Sequence, residues 1–166
     1  MKTLKITTMV LAFFLLSGCS SLQVKTLPIT PIEVTEVVNV PNQSKSNIFN
    51  FSREWFTTYF VSGEAVIDYE NKDAGTIIGK SIAKNGYNFL GSRRYKIHYK
   101  LKVDVKDNKM RITGTLTRYT QTGNGILYKD STYTTPERES QAKTTIKEAI
   151  SNLKDYVLNG KKDTNW

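Results

Sequence analysis

The sequence predicts an α+β domain in which a five-stranded antiparallel sheet carries two helices on one face. Three observations support this fold class. Apolar and polar residues alternate over 94–105, aromatic residues recur at helical spacing over 48–60, and a second amphipathic helix follows residue 135. The predicted order of elements is strand, helix, four strands, helix. Because each helix has one apolar face, both can cover the same side of the sheet and leave the other side in water.

The first two elements are a strand at residues 33–40 and the helix that follows it. The strand is rich in β-branched residues and stops at Pro41. Asn42 or Ser44 can cap the helix, and Gly63 ends it. The apolar side chains of this helix share one face, which we expect in the core: Ile48, Phe51, Trp55, Phe56, Tyr59 and Phe60.

The middle of the chain predicts four consecutive strands. A hairpin is predicted from strands at residues 65–69 and 76–82, because the residues between them have a composition typical of turns. The strand at 93–106 is the clearest, and its return strand follows a turn at Asp107 and Asn108. The core side chains of these two strands alternate with polar ones: Tyr95, Ile97, Tyr99, Leu101, Val103, Val105, Met110, Ile112 and Leu116.

The last part of the domain is a connection followed by a helix. Residues 119–134 are rich in Thr, Tyr and Gly, and this length is unusual for a connection in a compact domain. Two interpretations stay open, a short strand at 126–129 or a functional role. Thr135, Pro136 and Glu137 then supply a cap, a first-turn proline and a first-turn acid. The apolar face of this helix, which Gly160 ends, comprises Ala142, Ile146, Ala149, Ile150, Leu153 and Val157.

The first eighteen residues have the layout of a secretory signal. Lys2 and Lys5 form a basic start, residues 9–16 are apolar, and small residues precede Cys19. The apolar run is too short to cross a hydrocarbon core of about 30 Å as a helix. The segment therefore predicts export from the cytoplasm.

The end of this signal, Leu16-Ser17-Gly18-Cys19, resembles the lipobox of bacterial lipoproteins. The resemblance implies cleavage after Gly18 and a lipid on Cys19, through which the mature protein contacts the membrane. Ser20 implies transport to the inner leaflet of the outer membrane, facing the periplasm. An ordinary secretory signal with an accidental Cys, or a buried free Cys, is the alternative interpretation.

These patterns divide the chain into four parts. Residues 1–18 are a lipoprotein signal peptide, and 19–31 are the lipidated Cys and a tether that contains Pro28 and Pro31. Residues 32–160 form a single α+β domain, and 161–166 are a loose C-terminal end. A domain of this size can bury a substantial core without disulfides.

Four segments of the predicted domain resemble one protein family. They are residues 44–49 leading to Trp55, 66–69, 75–80 and 106–111. Together they are similar to domain of unknown function 4468, over roughly residues 32–158. The resemblance implies a TATA-binding-protein-like fold with a curved sheet, in a family common among bacterial lipoproteins. The family has no known catalytic residues to carry over.

Composition excludes several kinds of chemistry. One Cys excludes an intramolecular disulfide and Cys-based zinc sites, and one His excludes His-pair metal sites. We therefore expect no metal and no cofactor. Residues 74–81 end like a phosphate-binding loop, but Ala74 stands where the first Gly is needed and no helix pattern follows. Gly75 and Gly79 more simply serve a turn and a strand bend.

His98 is the one residue that suggests an enzyme. A general base needs a carboxylate to orient it, and Asp104 or Asp68 could do this. No sequence spacing supports either pair, so we interpret His98 as a solvated residue of the sheet. We expect no catalytic residues and no enzymatic activity.

One side of the clearest strand is basic. Arg94, Lys96, His98, Lys100 and Lys102 share it, and Arg111 lies beside them on the next strand. The formal net charge of the chain is +9, which favours an electropositive surface. The surface is either a solvated face or a site for an anionic partner, namely phospholipid, lipopolysaccharide, peptidoglycan or an acidic protein. Export argues against nucleic acid.

The sequence thus favours a non-catalytic envelope lipoprotein that binds a protein or an anionic envelope component. Two alternatives stay open. One is a periplasmic hydrolase that uses His98 with a nearby carboxylate. The other is a structural or assembly lipoprotein that acts through its helices.

Overall fold

The computed structural model describes residues 27–59, 66–87, 94–123, 127–131 and 133–159. The strands are β1 (Leu27–Pro28), β2 (Glu33–Asn39), β3 (Val66–Asn71), β4 (Thr76–Tyr87), β5 (Arg94–Lys106), β6 (Lys109–Gly123), β7 (Leu127–Asp130) and β8 (Tyr133–Thr134). The helices are α1 (Lys45–Tyr59) and α2 (Pro136–Asn159). Several predicted features lie outside the described residues: the predicted signal peptide at 1–18, Cys19, Phe60, Gly63, Gly160 and the end at 161–166. No described helix combines the length and the apolar character needed to cross a membrane.

The main sheet is antiparallel throughout and has the strand order β2-β6-β5-β4-β3. β7 pairs with the last residues of β6, and β1 pairs with β8 in a separate two-stranded ribbon. The predicted fold class is confirmed, with five long antiparallel strands and two helices. β1 and β8 are additions to that prediction.

Both helices lie on the same face of the sheet, and two glycines make room for them. Gly79, Leu101 and Gly114 form one cross-strand row in β4, β5 and β6. A Cβ atom added to Gly79 would lie 2.5 Å from Cε1 of Phe56 in α1, and one added to Gly114 would clash with Cγ2 of Ile146 in α2. The helices therefore contact the backbone of the sheet directly.

The predicted alternation in β5 and β6 is confirmed. Every apolar residue expected on the core side of these strands is buried: Tyr95, Ile97, Tyr99, Leu101, Val103, Val105, Met110, Ile112 and Leu116. Asn108 adopts a positive φ of 59° in the turn between them, a conformation that Asn tolerates better than most residues. The tight turn fixes the register of the two longest strands.

α1 begins where its cap predicts. The backbone N–H of Asn47 donates to Oγ of Ser44 at 3.2 Å, so Ser44 rather than Asn42 is the cap. Ile48, Trp55 and Phe56 are buried as expected. Tyr59 does not lie in the core as predicted, because it ends the helix, is 43% exposed and stacks on the Trp55 ring at 4.6 Å.

α2 also begins at its predicted cap. The backbone N–H of Arg138 donates to Oγ1 of Thr135 at 3.3 Å, and Pro136 is the first helical residue. The whole predicted apolar face is buried: Ala142, Ile146, Ala149, Ile150, Leu153 and Val157. This face packs on β6 and β2 and completes the core.

The segment at 119–134 is mostly strand rather than a long connection. β6 continues to Gly123, β7 covers Leu127–Asp130, and so the suspected short strand is present. A bulge at Thr117 explains why the sequence pattern stopped earlier. Thr117 and Arg118 are both exposed, and Tyr119 returns to the core, so the strict alternation is interrupted.

Part of the predicted tether belongs to the folded domain. Leu27 and Pro28 pair with Thr134 and Tyr133, and Ile29 packs against the core. Pro28 is compatible with this two-stranded ribbon because it lies on an edge strand. The fold therefore begins before residue 32, and only the tether residues ahead of 27 lie outside the described part.

Candidate functional site

We call the side of the main sheet that faces away from both helices the open face. It consists of the residues of β2 to β6 that alternate with the buried ones. In β5 these residues are Lys96, His98, Lys100, Lys102 and Asp104, as the period of two requires. Arg94 begins the same strand, but its side chain is outside the described ones.

Asp104 lies among the predicted cations and neutralises part of their charge. Its carboxylate accepts from Nη2 of Arg111 at 2.8 Å and from Oγ1 of Thr76 at 2.9 Å, and Nζ of Lys102 lies 3.2 Å away. Burial raises the pKa of Asp104, but these three donors outweigh it, and the net pKa is below the usual range. Lys102 and Arg111 are therefore held in an ion-paired cluster.

Two further ion pairs lie on the open face. Nζ of Lys80 lies 2.7 Å from Oδ1 of Asp68, and Nε of Arg118 lies 3.8 Å from Oδ1 of Asp130. Their side chains are exposed or half-buried, so each pair stabilises the fold only slightly. Strict alternation along β6 would turn Arg118 toward the core. The bulge at Thr117 makes it face outward instead, so the sequence pattern did not predict its position.

A positive excess remains near the middle of the open face. Lys100 is exposed, makes no ion pair with any residue that the structure describes, and lies directly opposite Lys80 on β4. Because Lys80 is paired with Asp68, the uncompensated charge of these two lysines is that of Lys100. Among the described side chains of this face, cations outnumber carboxylates: Lys80, Lys96, Lys100, Lys102, Lys106, Lys109, Arg111 and Arg118 against Glu33, Asp68, Asp104 and Asp130.

Hydroxyl groups and apolar side chains, among them the half-buried Ile78 opposite Lys102, complete the open face. The hydroxyl groups of Thr35 in β2 and Thr113 in β6 form a hydrogen bond with an Oγ1–Oγ1 distance of 3.1 Å. Thr115 lies opposite Lys100. Val37 is 57% exposed and Tyr69 is 49% exposed, at opposite edges of the sheet. The face thus combines cations and hydroxyl donors, which suit anionic oxygens, with a small apolar contribution.

The structure does not join His98 to Asp104. Six residues of strand separate them, which is about 20 Å at the usual rise. Nε2 of His98 lies instead 2.9 Å from Oγ1 of Thr120, and the neighbour of His98 on β6 is Arg118. Asp68, the other acid considered, is ion-paired with Lys80. Asp104 therefore cannot orient His98 as a general base.

The segment that partly resembles a phosphate-binding loop has a structural role. Gly75 adopts a positive φ of 71° in the turn between β3 and β4, and Gly79 lies under Phe56. Both therefore serve the turn and the packing of the sheet. Within the described residues, no group of three or more His, Cys, Asp or Glu side chains could hold a metal ion.

Residues 35–120 match a family described as a domain of unknown function (DUF4468) with a TBP-like fold. This match covers more than half of the chain. The chain belongs to the DUF4468 family. The matched region includes α1 and β3 to β5, most of β2 and β6, and therefore most of the open face.

Solved structures show the same fold. A TBP-like protein from Parabacteroides distasonis is 17% identical, with 81% of this chain and 98% of that chain covered and a TM-score of 0.62. A DUF4468 family protein from Bacteroides ovatus is 14% identical, with 84% and 94% covered and a TM-score of 0.56. At such identities the likeness shows the fold alone. The comparison with curated proteins found no match.

Proposed function

We propose that this DUF4468 protein is a non-catalytic envelope lipoprotein whose open face binds the anionic phospholipid headgroups of the membrane that anchors it. The observation that carries the proposal is the charge at Lys100, which no described residue compensates, whereas its cross-strand neighbour Lys80 is paired with Asp68. A phosphate group above Lys100 would supply the negative charge that this lysine lacks.

The composition of the open face supports a phosphate-bearing surface. Lysine ammonium groups and threonine hydroxyls are both donors to phosphate oxygens. Each Lys or Arg near an anionic leaflet contributes about 1 kcal/mol to membrane association. Val37 and Tyr69 add exposed apolar surface at the edges of the sheet. Neither helix covers this face, because both pack on the other side of the sheet.

The short tether supports a membrane partner over a distant one. If Cys19 carries the lipid, the seven residues 20–26 separate it from Leu27, where the described fold begins. The eight steps from Cys19 to Leu27 reach at most about 28 Å when fully extended. The domain would then stay close to the leaflet, and weak binding by the open face would be strengthened by a high local concentration.

The test uses a version of the protein that begins at Ser20, because a lipid on Cys19 would bind any vesicle. We expect it to sediment with vesicles of phosphatidylglycerol and phosphatidylcholine but not with phosphatidylcholine alone. The binding should weaken between low and physiological salt, because exposed charges are screened. Lys96→Glu combined with Lys100→Glu should abolish sedimentation.

A matched variant distinguishes the effect of the open-face lysines on vesicle binding from the effect of net charge. Lys143→Glu combined with Lys147→Glu changes the formal charge equally, but these exposed residues lie on α2. It should bind like the unchanged protein. Equal loss in both double variants would attribute binding to net charge and contradict the proposal. Binding to peptidoglycan or to an envelope protein, with none to anionic vesicles, would identify a different partner and also contradict it.

A further inference from the structure

Arg138 is buried in the first turn of α2, and no described residue places an anion beside it. It is 5% exposed, and its guanidinium carbon lies 4.8 Å from the centre of the Tyr95 ring. Nη2 donates to Oε1 of Gln121 at 3.3 Å. Nε and Nη1 are buried and have no hydrogen-bond partner among the residues that the structure describes. Three of the five guanidinium N–H donors therefore lack an acceptor in this part of the chain.

The acidic residues next to Arg138 are engaged elsewhere. Glu137 accepts from Nε2 of Gln141 at 3.4 Å, and Glu139 accepts from Oγ1 of Thr30, also at 3.4 Å. Neither makes an ion pair with Arg138 among the described residues. The two carboxylates that precede and follow Arg138 in the sequence thus leave its charge uncompensated.

The neighbouring tyrosines cannot supply the missing negative charge. Burial raises the pKa of Tyr95 to about 12, and it also raises the pKa of Tyr119. Both phenols are therefore neutral at physiological pH. The Tyr95 hydroxyl donates to Oε1 of Gln141, and the Tyr119 hydroxyl donates to the backbone carbonyl of Arg138 at 3.2 Å.

A buried charge without a partner is costly, and buried guanidinium groups are normally paired. We infer that Arg138 anchors a binding site for a small carboxylate ligand, between the first turn of α2 and the start of β5. Gln121, which accepts from the guanidinium, and Gln141, which accepts from the Tyr95 hydroxyl, are only half-buried, so the site lies just beneath the surface. It lies on the helix side of the sheet and is independent of the open face.

The charge of the site favours a carboxylate over a phosphate. The described residues place one unpaired cation there, which balances the single negative charge of a carboxylate. A phosphate monoester carries about −1.5 to −2 at neutral pH and would leave excess negative charge in a buried place. The buried rings of Tyr95 and Tyr119, which meet edge to face with centroids 6.2 Å apart, make the surroundings of the guanidinium apolar, which suits a ligand with an apolar body.

Benzoate is a suitable probe, because it carries one carboxylate on an aromatic ring. The mature protein in detergent micelles would be titrated with benzoate, with inorganic phosphate and with chloride at matched ionic strength. We expect benzoate alone to give saturable heat in calorimetry. It should also shift one arginine Nε–H resonance in ¹H–¹⁵N spectra. That resonance should be missing from the spectrum of Arg138→Met, which removes the charge and keeps an unbranched apolar stem.

Arg118→Met is the control, because Arg118 is an exposed arginine of the open face. It should bind benzoate like the wild type, whereas Arg138→Met should not bind. Benzoate binding that survives in Arg138→Met would overturn the inference. So would an Arg138 Nε–H resonance that benzoate does not shift, a measurement that stays decisive even if the variant does not fold. A shift caused by phosphate and not by benzoate would show that the carboxylate assignment is wrong.

Discussion

The indole Nε1 of Trp55 donates a hydrogen bond to Oδ1 of Asn152 at 2.8 Å, and this contact joins α1 to α2. Trp55 is among the largest fully buried side chains of the described core. Phe56, the next residue, meets the Trp55 ring edge to face at 5.2 Å. The two helices therefore pack against each other through a specific polar contact as well as through apolar area.

Trp55→Ala should lower the free energy of unfolding by about 3–5 kcal/mol, because it removes a large buried ring. Asn152→Ala removes the acceptor alone and should cost about 1 kcal/mol. Urea unfolding followed by circular dichroism would measure both. Tyr59→Ala is the control on the same helix and should cost less than Trp55→Ala, because Tyr59 is partly exposed. Equal losses of unfolding free energy in Trp55→Ala and Tyr59→Ala would contradict the burial of Trp55.

Gly114→Ala should destabilise the protein by about 1–3 kcal/mol, because the added methyl group would overlap Ile146 and lie 3.2 Å from Cδ2 of Leu101. Thr115→Ala, one residue along β6 and on the open face, should change stability much less. Ile146→Ala should relieve the overlap. The double variant with Gly114→Ala should therefore lose less free energy of unfolding than the sum of the losses in the two single variants. Strict additivity would show that α2 does not approach the sheet at Gly114.

The lowered pKa of Asp104 predicts a pH dependence of stability. Its ordinary value is about 3.8, so the folded state favours the ionised form. The stabilisation is fully present above that pH and is lost as the pH falls through the lower, folded-state pKa. Wild type should therefore be more stable than Asp104→Asn at pH 7, and the difference should shrink near pH 3. Urea unfolding at both pH values would measure it.

Glu148→Gln is the control for the loss of one acidic group, since Glu148 is exposed on α2. Its stability relative to wild type should change less between pH 7 and pH 3. A difference between wild type and Asp104→Asn that stays constant over this range would contradict the role of the cluster formed by Asp104, Lys102, Arg111 and Thr76.

Lipidation of Cys19 is a prediction of the sequence alone. Cells that express the protein with its own signal would be labelled with a fatty-acid analogue. The wild type should carry the label, and Cys19→Ala should not, because it lacks the thiol that the lipid modifies. Ser20→Ala should still be labelled. Incorporation into Cys19→Ala at the wild-type level would show that the lipid is attached elsewhere or that the signal is an ordinary secretory one.

The sequence determined the elements whose side chains have a clear period and a clear end. Alternation in β5 placed Tyr95 to Val105 in the core, Thr135 marked the start of α2, and Asn42 or Ser44 marked the start of α1, where the structure shows Ser44 as the cap. These features depend on neighbours along the chain, because strand period, helix period and caps are local. They were sufficient to predict the fold class and the basic side of β5.

Only the tertiary structure decided which charges meet. The alternation places Asp104 on the basic side, but cross-strand register brings Arg111 and Thr76 to its carboxylate. The bulge at Thr117 and the extra strands β1, β7 and β8 likewise depend on pairing between distant segments. Nothing in the local sequence around Arg138 indicates that its guanidinium is buried against Tyr95. Its burial follows from how the first turn of α2 docks on β5 and β6, a long-range contact that no local pattern encodes.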